Sequence, residues 1–572
     1  MNTAFQKYRN ITFVEAVAAV LFSILLINFS LDVSLAAFPL AAAYTAITLY
    51  FALVKFISQK DGKVFTAVTK LTQYLPYVFF LAFILRRAGK NGTSFAYDLI
   101  SVLLWLVVFV CSIILPDMMS EKKNKALLAD FKIKPQVKQR QGVSKVIFEA
   151  IDWIDAFVWA LFTVLLVNIF IIQFYRIPSE SMVPTFLKQD YVFVSKIDCG
   201  PKFPLTDVGL PDFRHYKRGQ TIVFRSPHYS IDRKSEVRSV VSQLIYMLTI
   251  MQVNINYDED GNLKSDPLVK RICGEPGEQL VMQDGTLYAR TKDNDEFKPV
   301  ETDKKFARWN LNELSAKVKQ KVEFIPFDQD MYEQMLAFEE ERRNFDLSAA
   351  AFNANSLVSK MKTLAAKRAD NEQFTAPRLE SSYLFREFNT IADEILSQAG
   401  GVQWFSDFMT SWISEKNNVR DVYSESNFRL NVMMKIAFAK MVVRYSELAL
   451  NKASATDIFS DKQLLADYQE AVKVRMYVEE LLDFRNMPVF PANDSNGNPS
   501  YIPDGCYFMM GDNRFNSLDL RHSLNTKLVP LTSDDSKAVL YRSRIDQKYV
   551  NKKYIIGKPL YRFWPWSRIG SV

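Results

Sequence analysis

Three short segments carry residue types that together could attack a carbonyl. The first is Ile177-Pro-Ser-Glu-Ser-Met-Val-Pro-Thr185. Pro178 and Pro184 keep their neighbours out of helix, so the segment is expected to be extended, with residues two apart on one side. Ser179 and Ser181 then turn two hydroxyls toward one pocket, one placed to attack and the other to steady the resulting oxyanion. The second is Pro267-Leu-Val-Lys-Arg-Ile-Cys-Gly-Glu-Pro-Gly-Glu278. In a strand, Leu268, Lys270 and Ile272 share a face. An ammonium between two aliphatic side chains loses hydration, and burial pushes a lysine toward the neutral form that a general base requires. Arg271 falls on the opposite face, where an ion pair would hold it. The third is Met510-Gly-Asp-Asn-Arg-Phe-Asn-Ser-Leu-Asp-Leu-Arg521. It crowds charges and amides into a loop after a strand, where buried charge needs partners. Taken singly, the first and third also read as ordinary polar turns, and Lys270 as a strand-edge lysine reaching for water.

The elements that must hold these segments fall into two kinds. Apolar runs recur at about 11–30, 35–57, 68–85, 96–116 and 151–174. Each reaches or approaches the roughly 20 residues a spanning helix needs. The run at 68–85, with Lys70 and Gln73, is the weakest. The first run is not read as a cleavable leader, because further spans follow it. Between the fourth and fifth runs lie Lys122, Lys123, Lys125, Lys132, Lys134, Lys138, Arg140 and Lys145. That loop is expected to be cytoplasmic, which places everything after about Gln173 on the far side of the membrane. Arg86, Arg87 and Lys90 fall on that far side and run against the rule.

After Phe174 the pattern turns to strands, at 191–196, 221–224, 269–273, 278–282, 286–289, 506–510 and 554–563. Asp284-Gly285 reads as a tight hairpin turn. Two insertions interrupt this β unit. One, 230–264, carries an apolar run at 240–251 too short to span; it either dips into the outer membrane interface or forms a buried helix. The other, about 300–490, reads as helices: Leu384, Phe388, Ile391 and Ile395 follow helical spacing up to Gly400-Gly401. The expected layout is a membrane region with its basic loop (1–148), a last anchor (149–174), a first β part (175–299), a helical insertion (300–499) and a second β part (500–572).

Composition narrows the function classes. Apolar residues make up 49% of the 572, charged residues 23%, and the formal charge is +8. The basic residues cluster beside the apolar runs, which reads as membrane orientation and not as nucleic-acid binding. Cys111, Cys199, Cys273 and Cys506 show no Cys-x-x-Cys spacing, and Cys111 lies in an apolar run. No disulfide framework follows, although a Cys199–Cys506 bridge is open. His215, His228 and His522 form no His-Glu-x-x-His pattern and no recognisable triad motif, which speaks against zinc hydrolysis and a Ser-His-Asp protease.

In order, and after a membrane span, the three segments resemble the motifs of bacterial type I signal peptidases. These are Pro-Ser-x-Ser-Met-x-Pro-Thr with the following strand to Lys196, Lys-Arg-x-x-Gly-x-Pro-Gly-Asp/Glu, and Gly-Asp-Asn-Arg-x-x-Ser-x-Asp-x-Arg. Lys217-Arg-Gly219 and Gly557-Lys558 also fit. The resemblance covers a little under one third of the chain. It implies a mostly-β, signal-peptidase-like catalytic domain, joined here to a multi-pass α-helical membrane region and carrying a large helical insertion. It implies Ser181 as nucleophile, Lys270 as general base, and an oxyanion hole from the Ser179 hydroxyl and the Ser181 N–H. Ser517 would orient Lys270 by a hydrogen bond, and Asp512 and Arg514 would support the site. Tyr175, Ile177, Leu268 and Val269 would line the pockets for an Ala-x-Ala type cleavage motif. The expected setting is the bacterial cytoplasmic (inner) membrane, with the catalytic domain on the extracytoplasmic side. The expected partners are signal-peptide-bearing preproteins, the lipid bilayer and the secretory translocon, with no nucleic acid, cofactor or metal. A specialised processing protease of narrow range and a non-catalytic membrane scaffold are the alternatives. Leu520, where many relatives carry a small polar residue, the four extra spans and the long insertion are departures from the family pattern.

Overall fold

A computed structural model of the chain describes residues 3–120, 123, 127–128, 131, 143–229, 232–249, 251–368, 372–414 and 421–572. Lys122, Lys125, Lys132, Lys134, Lys138 and Arg140 of the basic stretch lie outside the described residues.

Among the described residues five helices are long and apolar enough to cross a membrane: α1 (Thr3–Leu25), α2 (Val33–Ser58), α3 (Gly62–Ala88), α4 (Phe95–Met118) and α5 (Glu149–Phe170). The weakest run of the sequence lies in a full-length helix, α3. Its Lys70 is paired with Asp155 of α5, which removes the isolated charge that weakened the apolar signal. Helices α1 to α4 pack into a bundle, with α1 along α4 and α3 against α2 and α4. The rings of Phe22 and Phe79 stack at its centre, 4.4 Å apart. Helix α5 stands more apart, with 6% of its apolar window buried against 28–44% for the others.

One end of the bundle grips the β unit. The loop after the second strand sends Phe203 and Val208 into the same apolar core as Phe80, Trp105 and Phe162. The Phe203 ring meets Trp105 at 5.3 Å. Arg87, at the end of α3, is buried and donates through Nε to the Leu205 carbonyl at 2.9 Å. Arg86 lies over the Tyr97 ring and the Lys90 N–H donates to Asp32. These groups, which ran against the orientation rule, make packing contacts at this end of the bundle. Phe203→Ala should weaken the grip by about 3 kcal/mol, the usual cost of emptying a buried aromatic site. Faster cleavage of the 199–212 loop by added protease in detergent is the expected sign, and an unchanged rate would remove Phe203 from that role.

The main sheet has eight strands. In chain order they are β1 (Ile172–Arg176), β2 (Tyr191–Ser195), β3 (Thr221–Phe224), β4 (Leu268–Gly274), β9 (Cys506–Met510), β12 (Val550–Asn551), β13 (Ile555–Trp564) and β14 (Gly570–Ser571). They lie in the order β1-β2-β13-β3-β4-β9-β12, with β14 on β13 and antiparallel neighbours throughout. A second sheet, β8-β5-β6-β7, is built from β5 (Glu278–Gln283), β6 (Thr286–Thr291), β7 (Asn294–Pro299) and β8 (Met487–Phe490). Asp284 and Gly285 both take positive φ, 50° and 75°, as the two-residue turn between β5 and β6 requires. A hairpin, β10 (His522–Pro530) with β11 (Leu540–Ile545), follows the third motif. Strand β1 begins immediately after α5, where the sequence pattern continues the last apolar run to 174 and places its first strand only at 191–196. Lys196 ties this junction, donating through Nζ to the Asn168 carbonyl at 3.0 Å in the last turn of α5, where carbonyls lack helical partners.

Residues 240–248 of the apolar run lie in helix α6 (Arg233–Leu248), begun by Asp232 accepting from the Ser235 N–H. Only Ser242 on it is buried. It is not a core helix; it lies beside α3, and Asn168 of α5 donates to the Met247 sulfur at 3.5 Å. The large insertion opens with helix α7 (Glu301–Phe306) and builds its core around α8 (Val422–Leu450), which is buried on nearly every side. That core runs on into Phe515, Val539 and Tyr541, so the insertion and the loops around the third motif pack as one body. The fully buried Lys435 and Asp535 pair across the same boundary. All four cysteines are free, and the Cys199–Cys506 bridge is not formed. Each thiol has its own place in the core: Cys199 lies under the Ser195 carbonyl, and Cys506 receives the Asn551 amide.

Candidate active site

Lys270 sits in β4 between Ile222 of β3 and the strand β9, opposite Ile222 in register. The residue is 3% exposed, and its amine lies 2.6 Å from Ser181 Oγ. Burial lowers its pKa from 10.5 to about 8, although Asp519 and Asp512 pull the other way. An amine so placed loses its proton far more readily than a surface lysine and can take one from the hydroxyl it touches.

The Ser179–Ser181 segment is not extended. It turns, with the Val183 N–H on the Glu180 carbonyl and the Phe186 N–H on the Met182 carbonyl. The turn still brings Ser179 Oγ to 3.3 Å from Ser181 Oγ. Two groups fix it from outside. The Asn513 N–H donates to the Ser181 carbonyl at 3.1 Å, and the Asn513 side chain donates to the Glu180 carbonyl at 3.2 Å. The Glu180 carboxylate accepts the N–H groups of Glu323 and Phe324 at 2.5 and 3.2 Å. The helical insertion therefore holds the residue between the two serines.

Asp512 takes both Nε and Nη2 of Arg271, at 2.7 and 2.6 Å, and the Thr185 hydroxyl at 2.5 Å. Arg271 also reaches the Gly219 carbonyl at 2.6 Å and stacks on the Phe306 ring of α7 at 3.7 Å. Arg514 is fully buried and pairs with Asp303 of α7 at 2.5 Å. Arg521 clamps Asp519 through Nε and Nη2 at 2.9 and 3.0 Å, and the Gly511 N–H donates to the same carboxylate at 3.0 Å. Burial opposes ionisation of Asp519, but Arg521 outweighs it and holds this carboxyl well below the usual range. Asp303, Phe306, Glu180, Asp519 and Arg521 were not singled out from the sequence. Asp519 and Arg521 lie inside the third motif and were within reach; α7 is more than two hundred residues away from that loop and gave no signal.

Ser517 departs from expectation. Its hydroxyl is buried without a partner and does not bond Lys270. It lies against Gly511, where an added Cβ would fall 2.2 Å from Ser517 Oγ and 2.5 Å from the Ser181 carbonyl. The amine meets the Ser181 oxygen instead. Position 511 is glycine because the third motif passes directly under the reactive loop.

The residues expected to form the substrate pockets come together. Tyr175, Ile177, Leu268 and Val269 line one cleft of about 1190 Å³ with Ser179, Ser181 and Lys270. No histidine lines it. The Tyr175 hydroxyl is buried and unpartnered.

Comparison with known proteins gives the same direction. The family described as Signal peptidase, peptidase S26, matches residues 150–343 and 443–564, more than half of the chain. Signal peptidase I of Buchnera aphidicola subsp. Schizaphis graminum is 37% identical over 71 residues, 12% of this chain and 23% of the relative. That of Haemophilus influenzae is 25% identical over 159 residues, 27% of this chain and 43% of the relative. That of Pseudomonas aeruginosa is 27% identical over 130 residues, 23% and 34% of the two chains. The matched stretches thus span well under two thirds of these relatives. No solved structure matches the chain. The family match joins both β parts across the insertion and takes in all three motifs, and the chain belongs to the signal peptidase family, peptidase S26.

Proposed function

We propose that the chain is a membrane-bound serine endopeptidase that removes N-terminal signal peptides from exported preproteins. The observation that carries this reading is the 2.6 Å contact between a dry Lys270 amine and Ser181 Oγ. Lys270, uncharged, takes the hydroxyl proton as Oγ attacks the scissile carbonyl. Negative charge gathers on the carbonyl oxygen, where the Ser179 hydroxyl and the Ser181 N–H receive it. The Lys270 ammonium then gives its proton to the leaving amine. A water, deprotonated by the same amine, releases the acyl group and restores Ser181. Asp512 and Arg514 keep the loops around this pair in place through Arg271 and Asp303, and Ser517 packs beneath them.

Tyr175, Ile177, Leu268 and Val269 bound a cleft with room for the small side chains that precede a signal-peptide cleavage site. Ser181 lies in the first loop beyond β1, which starts where α5 ends. A signal peptide lying in the bilayer presents its cleavage site at that same depth, and the confinement raises effective concentration. The orientation this implies puts the catalytic unit on the extracytoplasmic side of a bacterial cytoplasmic membrane, with the translocon as the source of substrate.

The test is cleavage of a preprotein by the full chain in liposomes. Ser181→Ala should cut turnover by a factor on the order of 10³ or more. Unchanged processing by that variant would end the assignment and favour a scaffold that keeps the fold without the chemistry.

A further inference from the structure

A second cavity, of about 420 Å³, opens between the membrane bundle and the β unit. Its walls are Phe80 and Ile84 of α3, Val164 of α5, and Val240, Leu244 and Met247 of α6. The three α6 residues repeat at four and three positions, so they form one stripe facing the two spans. Gln173, Lys196, Val240 and Tyr246 line both this cavity and the cleft that holds Ser181. The two spaces therefore lie side by side along a shared wall. Helix α5 is the least packed of the five spans, and it meets α3 through Lys70 and Tyr74 with Asp155, the stacked rings of Tyr77 and Phe162 at 3.8 Å, and the edge-on rings of Phe80 and Phe162 at 5.7 Å. The cavity sits just beyond those contacts, at the end of the spans nearest the reactive serine. Its size lies within the range of about 300–1,000 Å³ found for ligand pockets.

We propose that this cavity receives the end of the signal peptide's apolar segment while the cleavage site lies over Ser181. The inference rests on the reading of Ser181 and Lys270 as a signal peptidase pair and adds a subsite to it. A signal peptide places an apolar run of 7–15 residues shortly before its small-residue cleavage site. An occupant threading from the cleft must become apolar where the walls do, and that order matches the substrate's own. Of the walls, α3 lies outside the family-matched residues, whereas α5 and α6 lie within them. The α3 wall is thus the part of this subsite that lies outside the matched residues. The cations nearby do not call for an anionic occupant. Lys202 pairs with Asp207, Arg225 lies 3.8 Å from Asp266, Lys196 donates to the Asn168 carbonyl, and Lys553 lies over the Tyr554 ring.

The test compares two substrates on the full chain in liposomes. One is a preprotein with its apolar segment, and the other is a short peptide carrying only the cleavage motif. Val164→Trp and Leu244→Trp, which fill the cavity from two sides, should each lower the preference for the preprotein by about 10-fold in the ratio of kcat/KM values. A second measurement does not depend on either variant. A preprotein with a benzophenone side chain near the end of its apolar segment should cross-link to the α6 segment of the Ser181→Ala protein. If wild type cleaves neither substrate, the protease reading itself fails. If it cleaves both, but filling the cavity leaves the ratio unchanged or the benzophenone reacts only with lipid, the subsite is wrong and the cavity holds a lipid chain.

Discussion

Lys270→Met should abolish precursor processing by about 10³-fold or more while leaving the protein at least as stable at neutral pH. The two effects separate because the amine is costly to the fold. Its pKa falls from 10.5 to about 8 on burial, which at about 1.4 kcal/mol per unit is a penalty of roughly 3 kcal/mol for carrying the charge at pH 7. Methionine fills similar space between Ile222 and the apolar side of β4 and carries no such penalty. Lys270→Arg supplies the sharper comparison. A guanidinium keeps its proton at any pH the protein survives, so Arg retains charge and reach but cannot act as a base. It should be as inactive as Met. In wild type, kcat/KM should climb with pH to a plateau, with a midpoint near 8. The stability of the fold moves the same way. Below about 8 the amine is charged folded and unfolded alike. Between about 8 and 10.5 only the unfolded chain holds the proton, so wild type gains stability as pH rises through that window and the Met variant does not. Activity retained by Lys270→Arg, or a profile flat through pH 8, would remove the neutral amine from the reaction.

What could be read from the chain divides by range. Ser181 and Lys270 were legible because each sits in a local pattern, a proline-bounded Ser-x-Ser and an alternating strand. The expectation of an extended Ser179–Ser181 segment was wrong in backbone yet right in outcome, since a tight turn also brings the two hydroxyls together. Ser517 was misread because motif order says nothing about which of several polar atoms the buried amine will reach. The supports from the insertion were illegible. Asp303 and Phe306 resemble any charged, aromatic surface turn until the fold lays α7 across β4 and the third motif. The same holds for Arg87, whose type argued about membrane orientation while its role is to hold the Leu205 carbonyl. Strands β2 to β6, β9 and β13 were found where β-branched and aromatic residues alternate, whereas β7, β8, β10 and β11, polar or short, were not. Strand β1 was missed because its first residues continue the apolar run of α5, and hydropathy alone cannot mark that change.

Asp512→Ala should be the most destabilising single change near the site, by about 3–5 kcal/mol. It leaves the Arg271 guanidinium dry, with its two bonds to the carboxylate gone, and it takes the acceptor from the Thr185 hydroxyl, whose oxygen keeps only the Arg271 Nη2 donor at 3.0 Å. Thr185 closes the loop that carries Ser181, so turnover should fall even in molecules that remain folded. The pair Arg271→Met with Asp512→Leu distinguishes the two roles. Without either charge there is nothing to desolvate, and methionine can lie on the Phe306 ring where the guanidinium stacked. Most of the lost stability should return, since an apolar replacement of a buried ion pair is often neutral. Turnover should not return with it, because no acceptor then holds Thr185 and the Ser181 oxygen is free to drift from the amine, where about 1 Å can cost about 10² in rate. Denaturant melts and precursor cleavage on the three proteins read both quantities. A double variant that regains full activity along with its stability would mean that the carboxylate serves the fold alone, and that the reactive loop is held by Asn513 and the Glu180 tether without it.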